Sequence, residues 1–243
     1  MEFPVLVAGV HPHHVFDFLA FLVGGQLFWR SLRRDPSPYS AEEKWFLAAG
    51  CLIGAALGAK LIVLLEDPAF TLAHAREPAF WLSGKSIVGG LLGGLVGVEL
   101  AKKEAGITRS TGDHFAVPVA VGLAVGRIGC FLSGLTDDAY GVATTLPWGV
   151  DFGDGVPRHP TQLYEAAFAL LLALALVRAR GRVQASGDLF RLLMVAYLGF
   201  RFLEEFIRVS PRPYLGLTVY QLACAAGLAY YLRDASWYTV SPR

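Results

Sequence analysis

The chain alternates long apolar segments with short polar connections. Seven of these segments approach or exceed the length needed to cross a bilayer, whose hydrocarbon core takes about 20 helical residues. They cover approximately residues 14–29, 45–65, 80–99, 114–132, 161–177, 190–207 and 216–232. The pattern predicts an all-α polytopic integral membrane protein with seven transmembrane helices, which form a single transmembrane domain over residues 1–243.

Basic residues are concentrated in alternate connections. Thirteen of the 21 lysines and arginines follow the first, third, fifth and seventh segments, whereas the other connections hold only Arg76, Arg158, Arg208 and Arg212. Short connections rich in Lys and Arg stay in the cytoplasm. The pattern therefore places the N-terminus outside, the C-terminus in the cytoplasm and the longest connection, residues 133–160, on the extracytoplasmic side.

Composition agrees with a membrane protein, since 54% of the residues are hydrophobic and only 17% are charged, against about 25% charged in an average soluble domain. A net charge of +1 gives no broad basic surface, so nucleic acid is not expected as a partner. The aspartates of residues 133–160 match no EF-hand spacing, and no metal site is predicted.

Four basic residues lie within or at the margins of the predicted spans: Lys60, Lys85, Arg127 and Arg201. With the predicted orientation, all four lie toward the outer leaflet, as do Asp17, Glu204 and Glu205. A charge at a helix centre costs about 2.5–3.5 kcal/mol on insertion scales, so such residues commonly mark a function. Long side chains that reach the interface and pair with each other are the alternative. Seven charges on one side favour a polar cavity open to the outer leaflet.

The sixth span carries Tyr197, Arg201, Glu205 and Arg208 at spacings that place them on one helix face. A carboxylate between two arginines would orient them, and guanidinium groups bind phosphate in bidentate fashion. The embedded cations outnumber the embedded acids, which favours an anionic ligand such as a phospholipid headgroup. A salt-bridge ladder that only joins helices is the alternative.

Glycines recur at four-residue spacing in residues 88–97 and at Gly54 and Gly58. Small residues at this spacing let membrane helices approach closely. We expect these glycines to serve helix packing and not chemistry.

Three segments resemble the signature segments of prolipoprotein diacylglyceryl transferases: GRIGCFLSG (126–134), RHPTQLYE (158–165) and YLGFRFLEEFIR (197–208). The resemblance implies a bacterial inner-membrane enzyme with seven spans and an active site toward the outer leaflet. Its reaction would move a diacylglyceryl group from phosphatidylglycerol to the lipobox cysteine thiol of a prolipoprotein and release glycerol phosphate. No metal or organic cofactor is implied.

The resemblance also implies residue roles. Arg127 and Arg201 match arginines expected to hold the lipid phosphate and to stabilise its charge as it leaves. Glu205, Tyr197 and Arg208 match the polar ladder beside them, and Gln162, Tyr164 and Glu165 match the outer motif. Lys85 completes the expected catalytic set because of its embedded position and not because of the resemblance. The full set of expected substrate-binding residues is Asp17, Lys60, Cys130, Ser133, Gly141, His159, Gln162, Tyr164, Glu165, Tyr197 and Arg208.

The chain departs from the family pattern where protons are handled. Val88 stands where the family has a histidine considered important for catalysis, and Cys130 and Ser133 stand where asparagines are usual. Asp17 lies near a usual tyrosine, and GLTDDAYG (134–141) replaces a shorter segment that contains a glutamate. The lipid-binding half of the pattern is kept, whereas the proton-handling half has changed.

Three interpretations follow. The chain is a divergent transferase with Lys85, Asp17 or Glu205 as the base, and Lys85 is preferred because burial among cations would lower its pKa. Alternatively, the same phospholipid chemistry serves another acceptor and yields a modified lipid, or the protein binds or moves lipids without catalysis. A channel or ion-coupled transporter is disfavoured because the segments show no internal repeat.

Overall fold

The computed structural model describes residues 3–34, 39–82, 84–182 and 186–233. Within these ranges the chain forms nine α-helices. They are α1 (Pro12–Arg34), α2 (Ala41–Glu66), α3 (Pro68–His74), α4 (Pro78–Leu82), α5 (Ile87–Glu104), α6 (Asp113–Ser133), α7 (Thr161–Ala179), α8 (Asp188–Glu204) and α9 (Val219–Leu232). Short 3₁₀ turns follow α6 (Gly134–Asp137) and α8 (Glu205–Ile207), and two short strands, β1 (Val150–Asp151) and β2 (Pro157–Arg158), pair antiparallel.

Helices α2 and α9 begin at capping boxes. At α2 the Ser40 hydroxyl accepts from the Glu43 amide, and the Glu43 carboxylate accepts from the Ser40 amide. Thr218 and Gln221 make the same reciprocal pair at α9. Because each pair satisfies two backbone donors that the first turn leaves free, the helix start is fixed locally.

The helix bounds differ from the predicted span bounds at several ends. The predicted segment 80–99 spans two elements, because Gly84 adopts a positive φ of 67° and the Ser86 hydroxyl caps a new helix by accepting from the Gly89 amide. Helix α5 therefore begins at Ile87 and runs to Glu104. The last segment, predicted from residue 216, becomes helical only at Val219, after the Thr218 cap.

The chain divides into two compact units. The first contains α1, α6, α7, α8 and the connection between α6 and α7, and the second contains α2 to α5 and α9. In the first unit α6 is central, since it packs against α1, α7 and α8. Its apolar face and the start of α7 are buried, whereas many large apolar side chains on the outer helix faces are exposed.

The second unit is built on the contact between α2 and α5. Gly50, Gly54 and Gly58 of α2 face Gly89, Gly93 and Gly97 of α5 across a backbone-to-backbone contact. A β-carbon added at Gly93, for example, would lie 2.8 Å from the Gly58 Cα. The predicted role in close helix packing is confirmed for Gly54, Gly58, Gly89, Gly93 and Gly97, whereas Gly90 and Gly94 have only ordinary contacts at 3.6–3.9 Å.

Among the described residues, four helices are long and apolar enough to cross a membrane: α1, α2, α6 with the turn that follows it, and α7. Helix α9 is apolar but has only 14 residues. Helix α5 is not among these four because its end is highly charged, with Glu99, Lys102, Lys103 and Glu104. Helix α8 is not among them because it has only 17 residues. The part of the chain that the structure describes is thus all-helical apart from one short hairpin, with the apolar helices of a membrane protein.

The connection between α6 and α7 uses its aspartates to form turns. Asp151 accepts backbone hydrogen bonds from Gly153 and Gly155 at 2.8 and 3.0 Å, and both glycines have positive φ. Arg158 donates to Asp154 at 2.6 Å. This ion pair holds the pKa of the Asp154 carboxyl below its usual range, with a smaller contribution from the Val156 amide. These two acids are therefore accounted for by local structure.

Candidate functional site

Charged side chains of the first unit gather where α6 ends, α7 begins and α8 ends. Arg127 lies in the last two turns of α6, Glu165 in the first two turns of α7, and Arg201 in the last turn of α8. Consecutive antiparallel helices bring the end of one beside the start of the next, so the order of the helices in the chain places these residues at one end of the unit. All three side chains are buried.

Glu165 is the centre of the first half of this cluster. Its Oε2 lies 2.7 Å from Nε of Arg127, and its Oε1 accepts a 2.7 Å hydrogen bond from the Tyr197 hydroxyl. Both Glu165 and Tyr197 are fully buried. Glu165 engages Arg127 through Nε, so the terminal nitrogens of the guanidinium point elsewhere, and Nη1 lies 3.7 Å from Cys130 Sγ. The carboxylate orients the arginine without covering its fork.

The second half of the cluster follows the end of α8. Nη1 of Arg201 donates to Oε2 of Glu205 at 2.6 Å and lies 3.3 Å from Oε2 of Glu204. Nε of Arg208 is 3.9 Å from the same Glu205 oxygen. The ladder predicted from the spacing is therefore present for Arg201, Glu205 and Arg208, whereas the Tyr197 hydroxyl turns to Glu165 of the neighbouring helix.

The charge balance differs from the predicted surplus of cations. Three arginines and three glutamates meet in this part of the first unit: Arg127, Arg201, Arg208, Glu165, Glu204 and Glu205. Arg208 is buried, yet its Nε and Nη1 have no hydrogen-bond partner among the described residues. Buried guanidinium donors cost free energy when they are left unsatisfied, so an acceptor from a ligand would stabilise this position.

The predicted outer motif lies on the start of α7 and the loop before it. Gln162 is fully buried, and its amide oxygen and nitrogen have no hydrogen-bond partner within the described part of the chain. The Tyr164 hydroxyl accepts from Trp148 Nε1 at 2.8 Å and lies 3.2 Å from His159 Nδ1. Gln162 therefore faces the interior and Tyr164 faces the loop.

Gly141 is needed for a close backbone approach. Its amide donates to the His159 carbonyl at 2.9 Å, and a β-carbon here would lie 2.6 Å from His159 Cβ and 2.8 Å from the Ile207 carbonyl. Residues 140–142 thus connect the loop to the chain that follows α8, beside Arg208. The geometry assigns Gly141 a packing role in addition to the predicted substrate contact.

Cys130 and Ser133 both lie in the last turn of α6 and are buried. The Ser133 hydroxyl donates to the Gly129 carbonyl of its own helix at 2.8 Å. Cys130 instead turns its sulfur toward Arg127, as described above. Of Cys130 and Ser133, only Cys130 thus faces the charged cluster.

Asp17 joins a second polar group at the start of α1. Its Oδ2 lies 3.3 Å from Nε2 of His13, and the other ring nitrogen of His13 lies 3.0 Å from Oδ1 of Asp137. His13 and Asp137 did not emerge from the sequence patterns. The i,i+4 spacing of His13 and Asp17 could have indicated their contact from the sequence. The contact of His13 with Asp137 could not have been predicted in this way, because it joins two distant segments.

Lys60 and Lys85 belong to the second unit. Lys60 donates to the Phe80 carbonyl at 2.7 Å, and its ammonium lies 4.7 Å from the centre of the Phe80 ring. Lys85 is exposed and lies ahead of α5. The burial on which its predicted role as a base depended is therefore not found. Val88, where the resemblance implied a histidine, is buried in the first turn of α5.

Glu204 is the acid that the sequence patterns left without a role. It is buried beside Arg201, and neither of its carboxylate oxygens accepts a hydrogen bond from the described residues. It shares Arg201 with Glu205, which has the shorter contact. The sequence places Glu204 next to Glu205, but the spacing pattern put only Glu205 on the helix face of Arg201. In the structure both glutamates contact Arg201.

The helical architecture and a buried arginine–carboxylate cluster at the helix ends define a membrane protein with a polar site. The profile of the prolipoprotein diacylglyceryl transferase family matches residues 4–232, and the chain belongs to this family.

Individual relatives support the assignment. The chain is 34% identical over 230 residues to the phosphatidylglycerol–prolipoprotein diacylglyceryl transferase of Cupriavidus pinatubonensis. The aligned residues make up 87% of this chain and 80% of the relative. It is 39% identical over 182 residues to the protein of the same name from Geobacter sulfurreducens. These residues make up 73% of this chain and 67% of the relative. The protein of the same name from Methylobacillus flagellatus is 34% identical over 227 residues, which make up 86% of this chain and 82% of the relative. No solved structure matches the chain.

Proposed function

We propose that this protein transfers the diacylglyceryl group of phosphatidylglycerol to the cysteine thiol of a prolipoprotein and releases glycerol phosphate. The relatives carry the name of this activity, and the segments that resemble the family include the buried arginines Arg127, Arg201 and Arg208. In this reaction the sulfur attacks the glyceryl carbon while the bond from that carbon to the phosphate oxygen breaks. The departing phosphate takes the electron pair, so the site must stabilise negative charge.

The observation that carries the proposal is the pairing of each arginine with a buried carboxylate. Glu165 holds Arg127 at 2.7 Å and Glu205 holds Arg201 at 2.6 Å. Arginines fixed in this way need no rearrangement when phosphate charge develops, which is the condition for electrostatic stabilisation of a leaving group. The unsatisfied donors of Arg208 supply a further position for a phosphate oxygen.

We further propose seven membrane spans with the N-terminus outside, which places the arginine cluster toward the outer leaflet of the bacterial inner membrane. The asymmetry of basic residues supports this orientation. The start of α1 and the ends of α6 and α8 then face the same leaflet, because the intervening helices alternate in direction. Phosphatidylglycerol would enter from that leaflet, and a prolipoprotein would present its cysteine there.

Reconstitution with defined lipids tests the activity. The protein in phosphatidylglycerol vesicles should add one diacylglyceryl mass to a lipobox peptide and release an equal amount of glycerol phosphate. A peptide with serine in place of the cysteine and vesicles of phosphatidylcholine are the matched controls, and neither should give product.

The Geobacter sulfurreducens relative serves as the positive control in the same assay. If it modifies the peptide and this chain does not, the proposed acceptor is wrong. Mass spectrometry of the lipid extract then shows whether a modified lipid forms instead.

A further inference from the structure

A histidine, a cysteine and an aspartate meet beside the arginine cluster. One ligand atom from each of His13, Cys130 and Asp137 lies within 4.8 Å of the other two. His13 comes from the start of α1, Cys130 from the last turn of α6 and Asp137 from the 3₁₀ turn after it. The three residues therefore converge through the packing of α1 on α6 within the first unit.

The three side chains supply a nitrogen, a sulfur and an oxygen ligand. Zinc takes this mixture of ligands, with metal–ligand distances of about 2.0–2.3 Å, which places ligand atoms of one tetrahedral site roughly 3.3–3.8 Å apart. Cys130 is 6% exposed, whereas the side chains of His13 and Asp137 are 36% and 14% exposed. The cluster is thus closed on the sulfur side and open on the histidine side.

Asp17 supplies a second, independent observation. Its carboxylate lies 3.3 Å from Nε2 of His13, while Nδ1 faces Asp137 at 3.0 Å. Metal-binding histidines commonly donate their other ring N–H to a carboxylate, which fixes the tautomer and turns the free nitrogen to the metal. A histidine that only bridged two aspartates would explain Asp17 and Asp137. It would not explain a buried cysteine sulfur at the same point.

The cluster also coincides with positions at which the resemblance implies a departure from the family. By that resemblance Cys130 stands at an asparagine position, Asp137 lies in the replaced segment 134–141, and Asp17 lies near a tyrosine position. Val88 likewise stands where the resemblance implies a histidine. Residues that could hold a metal are therefore present in a chain for which the resemblance leaves the proton acceptor unassigned.

We propose that His13, Cys130 and Asp137 bind one zinc ion, with Asp17 as the outer partner of His13 and a fourth position open to the acceptor thiol. The binding site stands on this geometry alone, whereas its part in transfer rests on the proposed function. Three protein ligands with an open position are typical of catalytic zinc.

The open position would replace the missing base. An acceptor thiol that binds there releases its proton to water and becomes a zinc-bound thiolate, since metal coordination favours the deprotonated form. The thiolate sulfur then forms the bond to the glyceryl carbon, and the carbon–oxygen bond to phosphate breaks. Arg127 connects the proposed zinc site to the arginine cluster, because its guanidinium contacts Cys130 Sγ at 3.7 Å and the Glu165 carboxylate at 2.7 Å.

Metal analysis of the intact protein tests the site. The full chain, purified without a histidine tag and dialysed against zinc, should retain about one zinc per chain. Loading with cobalt should give a sulfur-to-cobalt charge-transfer absorption band. Cys130→Ser should abolish this band, and Asp17→Asn should weaken zinc binding by about 10–100-fold.

Neighbouring residues of the same types provide matched controls. His14→Gln, Asp138→Asn and Cys51→Ser should leave the zinc content and the cobalt band unchanged. Wild-type protein that retains no zinc, or a cobalt band that persists in Cys130→Ser, would overturn the site. The elution profile and melting temperature of each variant show whether a loss of metal is only a loss of fold, and Asp17→Asn, which keeps all three ligands, remains informative if Cys130→Ser does not fold.

The two proposals fail in different ways. Zinc bound as expected, with no diacylglyceryl addition to the peptide, would contradict the proposed function and leave the metal site standing. Diacylglyceryl transfer by protein that contains no metal, undiminished by chelators, would overturn the metal site and leave the function standing.

Discussion

The two units join their helices by opposite means. In the first unit, α6, α7 and α8 meet around buried arginines and glutamates, with Arg127 and Glu165 2.7 Å apart. In the second unit, α2 and α5 meet through facing glycines that bring the two backbones into contact. Both contacts connect helices rich in apolar residues, yet one places charge in the interior and the other removes side chains from it.

This difference separates chemistry from packing. A glycine contact satisfies its helices with dispersion and close backbone approach, and it needs no polar group. A buried ion pair contributes little net stability, because desolvation offsets most of the attraction between the charges. The cluster of the first unit is therefore better explained by the orientation of its arginines for a ligand than by a need to hold α6, α7 and α8 together.

The largest expected effect comes from leaving a buried arginine without its carboxylate. Glu165→Gln removes the charge next to Arg127 and should destabilise the protein by about 3–5 kcal/mol, since an uncompensated charge remains buried. Thermal unfolding in detergent measures the loss. Glu42→Gln in the second unit is the control, because this glutamate is exposed in the first turn of α2. It should cost about 0–1 kcal/mol, and equal losses would remove the distinction between the two regions.

Arg201→Lys should change activity more than stability if the cluster serves a ligand, since lysine keeps a positive charge beside the buried Glu204 and Glu205 but lacks the guanidinium fork. Removal of one donor that stabilises developing charge typically costs about 10²–10³-fold in rate, or about 2.7–4 kcal/mol. Peptide modification in phosphatidylglycerol vesicles measures the effect. Arg178→Ala, at the other end of α7 and exposed, is the control and should keep its rate. Full activity of Arg201→Lys would show that the guanidinium donors of Arg201 are not needed for a ligand.

Gly93→Ala tests the opposite region. The added methyl group would meet the Gly58 backbone, with 2.8 Å to its Cα, so α2 and α5 must separate at a cost of about 1–3 kcal/mol. Gly90→Ala lies in the same helix, but its β-carbon would meet only ordinary contacts at 3.9 Å. The melting temperature should fall for Gly93→Ala alone, and an equal response at Gly90 would contradict the close contact.

The sequence predicted those features that depend on spacing within one helix. The pairing of Arg201 with Glu205 follows from their i,i+4 spacing, and the glycine contact follows from the four-residue repeat. The family resemblance marked both arginines and the RHPTQLYE segment before any geometry was known. The roles of these residues in binding and catalysis remain predictions.

Features that depend on contacts between distant parts of the chain could not be predicted from the spacing within one helix. The partner of Tyr197 is Glu165 on another helix, whereas its spacing indicated Arg201. The break at Gly84, which moves the start of α5 to Ile87, depends on a backbone conformation that the apolar run concealed. The meeting of His13, Cys130 and Asp137 joins residues that no local pattern connects.

The smallest effect is expected at the exposed ion pair of the hairpin, outside both helix contacts. Arg158 lowers the pKa of Asp154 in the folded state, so the unfolded chain binds more protons in acid and the pair stabilises the fold only above the usual pKa of about 3.9. The contribution is lost as the pH falls through the lowered pKa. Asp154→Asn should therefore reduce the melting temperature slightly at pH 7, by about 1 °C or less, and leave it unchanged near pH 2. A larger loss in acid than at neutral pH would contradict this sign, whereas a loss at pH 7 as large as that of Glu165→Gln would show that burial does not set the scale of these ion pairs.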